Sequence, residues 1–159
     1  VNNIYKILGI IAIIAVIMFS MVTCNNSIDD TIPYTYNEFE WTVFELTNEE
    51  RVKHGLPSLE WDNKLGAAAR AHSEDMARNN YFNHTGLDGS NPGQRITRAG
   101  FSWRLCAENI ARGHPTPAVV VNAWMNSQGH RNNILNANLT HLGVGHAGNR
   151  WTQKFATPR

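Results

Sequence analysis

Leu139-Thr140-His141-Leu142-Gly143-Val144-Gly145-His146-Ala147, then Gly148-Asn149, then Arg150-Trp151-Thr152-Gln153-Lys154-Phe155-Ala156 is the stretch that decides the fold of this chain. Two runs rich in strand-forming residues flank a Gly-Asn pair, a strong local signal for a β-hairpin. In the second run Trp151, Gln153 and Phe155 alternate with Thr152, Lys154 and Ala156, the two-residue period of a strand. Gly143 and Gly145 recur on one face of the first run, which predicts that something bulky packs across it, with Trp151 and Trp124 as the candidates.

Everything before the hairpin reads as helix and loop. Residues 38–54 carry Phe39, Val43, Leu46 and Glu50 at the helical step, widened by Phe44, and stop at Gly55 with Pro57 beyond. Residues 62–79 predict a second helix with Asp62 as its N-cap and a stripe of Leu65, Ala68, Ala69, His72 and Met76. On that stripe His72 reads as a hydrogen-bonded core histidine. Residues 80–100 are rich in turn formers, with a short helix predicted over 94–99 and closed by Gly100, and residues 105–110 read as a short strand or extended run. Thr116-Pro117 opens a third helix: Thr116 caps it and Pro117 takes the first helical position, where its missing N–H does no harm. Val120, Trp124 and Ser127 share a face of that helix, Gly129 ends it, and residues 131–135 add a further turn. Helices first and an antiparallel hairpin last predict an α+β domain, with one sheet covered by helices on both faces.

The chain has 159 residues, and its first 24 are unlike the rest. Ile7 to Val22 is uncharged and apolar on every face, preceded by Lys6 and followed by Asp29 and Asp30, which favours an N-inside orientation. Three readings stay open for residues 1–24: a membrane anchor, a lipoprotein signal ending at Cys24, or a cleaved signal peptide. All three place the rest of the chain outside the cytoplasmic membrane, anchored or secreted. Residues 25–37 read as a polar tether and residues 38–159 as the domain, enough for a single core. With 14 Lys and Arg dispersed against 13 Asp and Glu, the chain has no basic stripe, which argues against a nucleic-acid partner. Cys24 and Cys106 are the two cysteines, so the domain is no disulfide scaffold, and Cys106 reads as a small buried hydrophobe.

Three polar islands stand beside these apolar runs: His84 in Asn83-His84-Thr85-Gly86, Glu108 in Ala107-Glu108-Asn109-Ile110, and His130 in Ser127-Gln128-Gly129-His130-Arg131. If they converge, two imidazoles and a carboxylate can bind a metal ion, move a proton or hold a polar ligand. Ser127, three residues before His130, is either a helix-terminal hydrogen bonder or a nucleophile beside a base. Asn48, Arg51, Asn109, Trp124 and Arg131 read as structural, with Asn48 or Arg51 tying the first helix to its loop and Arg131 pairing with Glu49 or Glu50. His54, His114, His141 and His146 take surface or strand positions, from which His141 or His146 could reach the cleft.

Between Phe44 and Phe155 the motifs fall in a recognisable order: Leu46-Thr47-Asn48-Glu49-Glu50-Arg51, His54-Gly55-Leu56-Pro57, Asn83-His84-Thr85-Gly86, Ala107-Glu108-Asn109-Ile110, Gln128-Gly129-His130-Arg131-Asn132-Asn133-Ile134-Leu135, and Leu142-Gly143-Val144-Gly145. The chain resembles the prokaryotic branch of the CAP superfamily (cysteine-rich secretory, antigen 5 and pathogenesis-related proteins), also called SCP-like. The resemblance implies an α-β-α sandwich with a small, mainly antiparallel sheet between helical layers, and an extracytoplasmic location. It also implies a cleft, here lined by His84, Glu108, Ser127 and His130, in which His84 and His130 are candidate ligands for zinc or another divalent cation. Eukaryotic members carry a second glutamate at the place of Ser127. Three functions arise as expectations: binding of a lipid, cell-envelope component or protein at that cleft; metal-assisted hydrolysis of peptide or ester bonds with Glu108 as general base; or an adhesion domain in which the cluster only stabilises loops. The pattern does not by itself make the chain an enzyme.

Overall fold

The computed structural model describes residues 37–159. The anchor-or-signal reading of residues 1–24, Cys24 included, and the tether reading of 25–37 lie outside the described residues, save for Asn37. Among the described residues no helix is long and apolar enough to cross a membrane.

The elements run α1 (Glu38–Lys53), β1 (Glu60–Trp61), α2 (Asn63–Arg78), α3 (Pro92–Arg98), β2 (Trp103–Arg112), α4 (Pro117–Met125), α5 (Gln128–Ile134), β3 (His141–Ala147) and β4 (Arg150–Pro158). Capping residues set most of the helix starts. The side chains of Asn37, Asp62, Asn91 and Thr116 each accept a backbone N–H of the first turn, satisfying donors that the helix itself leaves unpaired. The four strands lie in the order β1-β3-β4-β2, with β1 parallel to β3 and the other pairs antiparallel. The chain is therefore α+β, with a mainly antiparallel sheet between helical layers.

β4 is central, and every residue from Arg150 to Thr157 is buried. Its alternation separates two faces that are both covered rather than a wet face from a dry one. On one side Leu142, Val144, Trp151 and Phe155 pack with Val43 of α1 and Val120 and Trp124 of α4. On the other, Ala156 packs with Leu65 of α2, Ile96 of α3 and Phe101.

Four local expectations are corrected. Gly143 and Gly145 make room for the backbone of α2 rather than for a tryptophan: a Cβ on Gly143 would stand 2.0 Å from the Gly66 nitrogen, and one on Gly145 would stand 2.1 Å from the Arg70 nitrogen. The third helix stops at Met125 rather than Gly129, because Ser127 is extended (φ −111°, ψ 116°) and a separate helix, α5, begins after it. β2 runs from Trp103 to Arg112, longer than the predicted 105–110, because β4 pairs with it along that length. Arg131 pairs with neither Glu49 nor Glu50; its Nη2 donates to His54 Nε2 at 2.9 Å, while His54 Nδ1 donates to the Glu50 carbonyl at 2.7 Å.

Candidate functional site

β2 is an edge strand, and Glu108 and Asn109 sit side by side on it, so their side chains leave opposite faces of the sheet. The site is built around this edge. One helical layer delivers His84, from the loop after α2, and Arg95, from α3. The other delivers Ser127 and His130, from the start of α5.

On the first face the Glu108 carboxylate accepts from His84 Nδ1 at 2.7 Å, from Arg95 Nη2 at 3.1 and 3.3 Å, and from Lys154 Nζ in a close ion pair. The side chains of Glu108 and Lys154 are 1% and 0% exposed, that of Arg95 is 11% exposed, and that of His84 is 50% exposed. A buried carboxylate with two cations and an imidazole N–H around it is thus roofed by a half-exposed ring. Burial pushes the Glu108 carboxyl up, but the His84 hydrogen bond and the charges of Lys154 and Arg95 outweigh it and hold the group down at about 2. Burial, reinforced by Arg95, brings Lys154 well below the usual lysine range despite the attraction of Glu108. With its Nδ1–H committed to Glu108, His84 is left with Nε2 for other partners.

On the second face Asn109 is fully buried and fully bonded. Its amide donates to Gln153 Oε1 at 3.0 Å and to the His130 carbonyl at 3.1 Å, and its oxygen accepts from Asn133 at 2.8 Å. Gln153 in turn donates to Thr47 of α1 at 2.8 Å. This chain of amides fixes α5 against the sheet edge and so sets the position of His130. Ser127 Oγ and His130 Nδ1 form a 2.9 Å hydrogen bond, and Ser127 makes no capping bond to α5. Burial, then the neighbouring His84, lowers the pKa of His130. His84 and Glu108 are in contact, whereas His130 is bonded to Ser127 and is linked to His84 by charge alone.

Other residues named from the sequence hold the frame. Asn48 makes both amide bonds to Leu59 (2.8 and 3.0 Å), and Arg51, 1% exposed, donates to the carbonyls of Pro57, Ile134, Asn136 and Leu139. Burial lowers the Arg51 pKa. Trp124 Nε1 donates to the Ile110 carbonyl at 3.3 Å. His72 is buried and bonded to the Asn83 carbonyl. Cys106 is a half-buried free thiol whose pKa burial raises. Neither His141 nor His146 comes to the cleft: His141 lies 3.4 Å from Glu60, and His146 stacks on Trp151 at 3.9 Å between ring centroids. Arg95 and Lys154 are the site residues that sequence reasoning misses. The signal for Lys154 is its place opposite Glu108, with Gln153 opposite Asn109, and that becomes visible only once the β2–β4 register is known.

The donor chemistry does not suit a cage of three protein ligands for zinc. Both Glu108 oxygens face cations, and among the described residues no group of three or more His, Cys, Asp or Glu is arranged to hold a metal ion.

Comparison with known proteins agrees with this architecture. A sequence model of the cysteine-rich secretory protein family, CAP, matches residues 44–157. YkwD of Bacillus subtilis (strain 168) is 48% identical over 125 residues, covering 77% of this chain and 49% of that protein. The membrane protein YlbC of the same organism is 41% identical over 116 residues, covering 73% of this chain and 34% of its own. The chain thus spans about half of one relative and a third of the other. Among solved structures, an extracellular protein containing a SCP domain from Bacillus anthracis str. Ames superposes with a TM-score of 0.72 at 40% identity, covering 74% of this chain and 39% of that one. An outer surface protein of Borrelia burgdorferi gives a TM-score of 0.72 at 27% identity, covering 79% of this chain and 97% of its own, so there the domain stands as a folded unit by itself. A family match over most of the described residues, together with these structural likenesses, shows that the chain belongs to the CAP, or cysteine-rich secretory protein, family.

Proposed function

We propose that this CAP domain works outside the cytoplasmic membrane, held there through its N-terminal segment or secreted, and binds a ligand at the cleft lined by His84, Glu108, Ser127 and His130. The extracellular and outer-surface relatives, and the membrane protein YlbC, support the location. The observation that carries the binding role is the His84–Glu108 pair: a half-exposed imidazole held at 2.7 Å by a carboxylate that is 1% exposed. Such a ring is oriented at low entropic cost and turns one nitrogen to an incoming polar group. A lipid head group, a cell-envelope component or a protein segment can supply that group.

The hydrolase reading has less support. A general base works best with a pKa near the working pH, whereas the His84 hydrogen bond and the charges of Lys154 and Arg95 hold Glu108 down at about 2, which makes it a weak base at neutral pH. Its geometry suits an orienting group instead. The test incubates residues 37–159 with a cell-envelope extract, then applies native mass spectrometry to the wild type, His84→Ala and His130→Ala. A mass retained by the wild type and lost from both variants, at unchanged melting temperature, supports the cleft. If the wild type retains nothing, or all three retain it equally, the cluster is a structural device and the binding role fails.

A further inference from the structure

The described residues expose five large apolar side chains: Phe39, Val52, Phe82, Leu87 and Val119. The two aromatic ones lie at one end of the sheet, where the hairpin of β3 and β4 turns at Gly148 and Asn149. Phe39, in the first turn of α1, has its ring 5.4 Å from that of His146 and 6.0 Å from that of Trp151. Phe82, in the loop after α2, has the Arg112 guanidinium 5.3 Å from its ring centroid. His146 and Trp151 are partners across the hairpin, and Arg112 lies opposite Arg150, the residue before Trp151. Arg150 Nε also donates to the Tyr81 carbonyl at 3.3 Å, which ties the Phe82 loop to the same place. The two rings thus flank one turn, and they remain 39% and 37% exposed. Apolar residues exposed singly need no explanation, whereas two aromatic rings at one end of a sheet mark a contact surface.

The charge around them is one-sided. The segments that meet here, residues 37–39, 78–82, 112–114 and 147–151, carry Arg78, Arg112 and Arg150 against Glu38 alone. Arg150 is buried, whereas Arg78 and Arg112 are exposed. Exposed arginines beside aromatic rings suit the surface of an anionic bilayer, where rings enter the head-group layer and guanidiniums pair with phosphate.

The course of the chain favours lipid over a protein partner. It enters the domain at Asn37, two residues before Phe39. Residues 23–36 separate Asn37 from the apolar run Ile7 to Val22, and fully extended they span about 50 Å at most. With that run in a bilayer, this end of the domain cannot leave the membrane's neighbourhood. A contact too weak to hold a free protein then suffices, because the tether supplies the effective concentration. The inference rests on the membrane-held location proposed above and not on the cleft.

We propose that this end of the domain, with Phe39, Phe82 and Arg112 foremost, docks on the surface of an anionic phospholipid bilayer.

The experiment sediments residues 25–159, which lack the apolar run, with vesicles of phosphatidylglycerol or of phosphatidylcholine at low salt. Starting at residue 25 keeps a new terminal amine away from Phe39. The wild type should partition onto phosphatidylglycerol about 5-fold more strongly than onto phosphatidylcholine, and high salt should remove that difference. Phe39→Ser and Phe82→Ser should each lower partition about 5-fold, and Arg112→Gln should lower it on phosphatidylglycerol alone. Phe39 stacks on Trp151, so its variant also touches the core; Phe82, in a loop, provides the test that does not. Val52→Ser, at the other end of α1 and 60% exposed, should partition as the wild type does. Vesicle partition and retention of an envelope ligand are separate readouts, so failure of either leaves the other standing. A wild type that stays in the supernatant with both lipids would make this end a surface for protein and overturn the proposal. Equal partition onto the two lipids, or a loss in Val52→Ser as large as in Phe82→Ser, would overturn it too.

Discussion

Lys154 on β4 lies directly opposite Glu108 on β2, and the two form an ion pair that water does not reach, with side-chain exposures of 0% and 1%. Arg95 makes the pair a triad with two positive charges and one negative. Removing one member of such a set leaves another buried without compensation, and that costs more than the set contributes as a whole. Lys154→Met should therefore destabilise the domain by about 2–4 kcal/mol, at the lower end because Arg95 still faces Glu108. Glu108→Gln should cost at least as much, since it leaves two cations facing a neutral amide. The double variant should recover part of the loss, giving a coupling energy of about 1–3 kcal/mol in a urea-denaturation cycle. Additive single losses would show that the pair contributes no coupling.

Acid should unfold the domain through two overlapping windows. The Glu108 pKa is lowered in the folded state, from an ordinary 4.5 to about 2, so its contribution is complete above pH 4.5 and is lost as pH falls through 2. His72 is also lowered, from 6.5 to about 4. The unfolded chain therefore takes up the His72 proton first, and stability falls as pH drops from 6.5 to 4, then levels for that group. Each window should be worth on the order of 3 kcal/mol. In urea titrations across pH 2–8, His72→Gln should flatten the upper window and Glu108→Gln the lower one. An unchanged slope between pH 6.5 and 4 in His72→Gln would assign that acid sensitivity elsewhere.

Legibility in the sequence depends on the reach of each signal. The hairpin is legible because Gly148-Asn149 and the two-residue alternation are local, and the caps Asp62 and Thr116 are legible for the same reason. Helices on both faces of the sheet are expected, but which polar residues of β4 they bury is not legible: Thr152 and Lys154 look solvent-facing until α2 and α3 are known to cover them. Lys154 thus passes for a surface lysine, although it is the most buried charge in the site. His84 and Glu108 are recognisable because their motifs are contiguous. Arg95 belongs to no motif and acquires its role from tertiary approach alone. The Arg131–His54 contact, 77 residues apart in sequence, is of the same kind.

Gly143 and Gly145 should prove far less replaceable than Gly148. At Gly143 and Gly145 an added methyl meets the α2 backbone at 2.0–2.2 Å, and backbone cannot step aside as a flexible side chain can. Alanine at either position should push α2 off β3 and cost about 3 kcal/mol or more, at or beyond the upper end for overpacking. Because α2 leads into the His84 loop and carries His72, the same change should loosen the cleft, which broadened His84 ring signals in NMR would report. At Gly148 the methyl meets nothing within 4 Å, and the cost is confined to its positive φ of 58°. Gly148→Ala should lose only about 1 kcal/mol. Equal destabilisation at all three sites would mean that strand flexibility, rather than contact with α2, explains the glycines.

Zinc provides a separate check on the electrostatics of the cleft. A divalent cation at His84 Nε2 and His130 would bring two positive charges towards Lys154 and Arg95, with a single carboxylate already shared between them. It would also have no third protein ligand from among the described His, Cys, Asp and Glu residues. Two imidazoles and water make a weak site beside the three or four ligands usual for zinc. Calorimetric titration of residues 37–159 should therefore show no stoichiometric uptake at micromolar zinc and pH 7. Lys154→Met removes one cation and leaves part of the Glu108 charge uncompensated, so any zinc affinity should rise in that variant relative to the wild type. Micromolar 1:1 binding by the wild type that disappears in both His84→Ala and His130→Ala would instead make the two histidines a metal site, and would require the Glu108 carboxylate to leave at least one of its two cations.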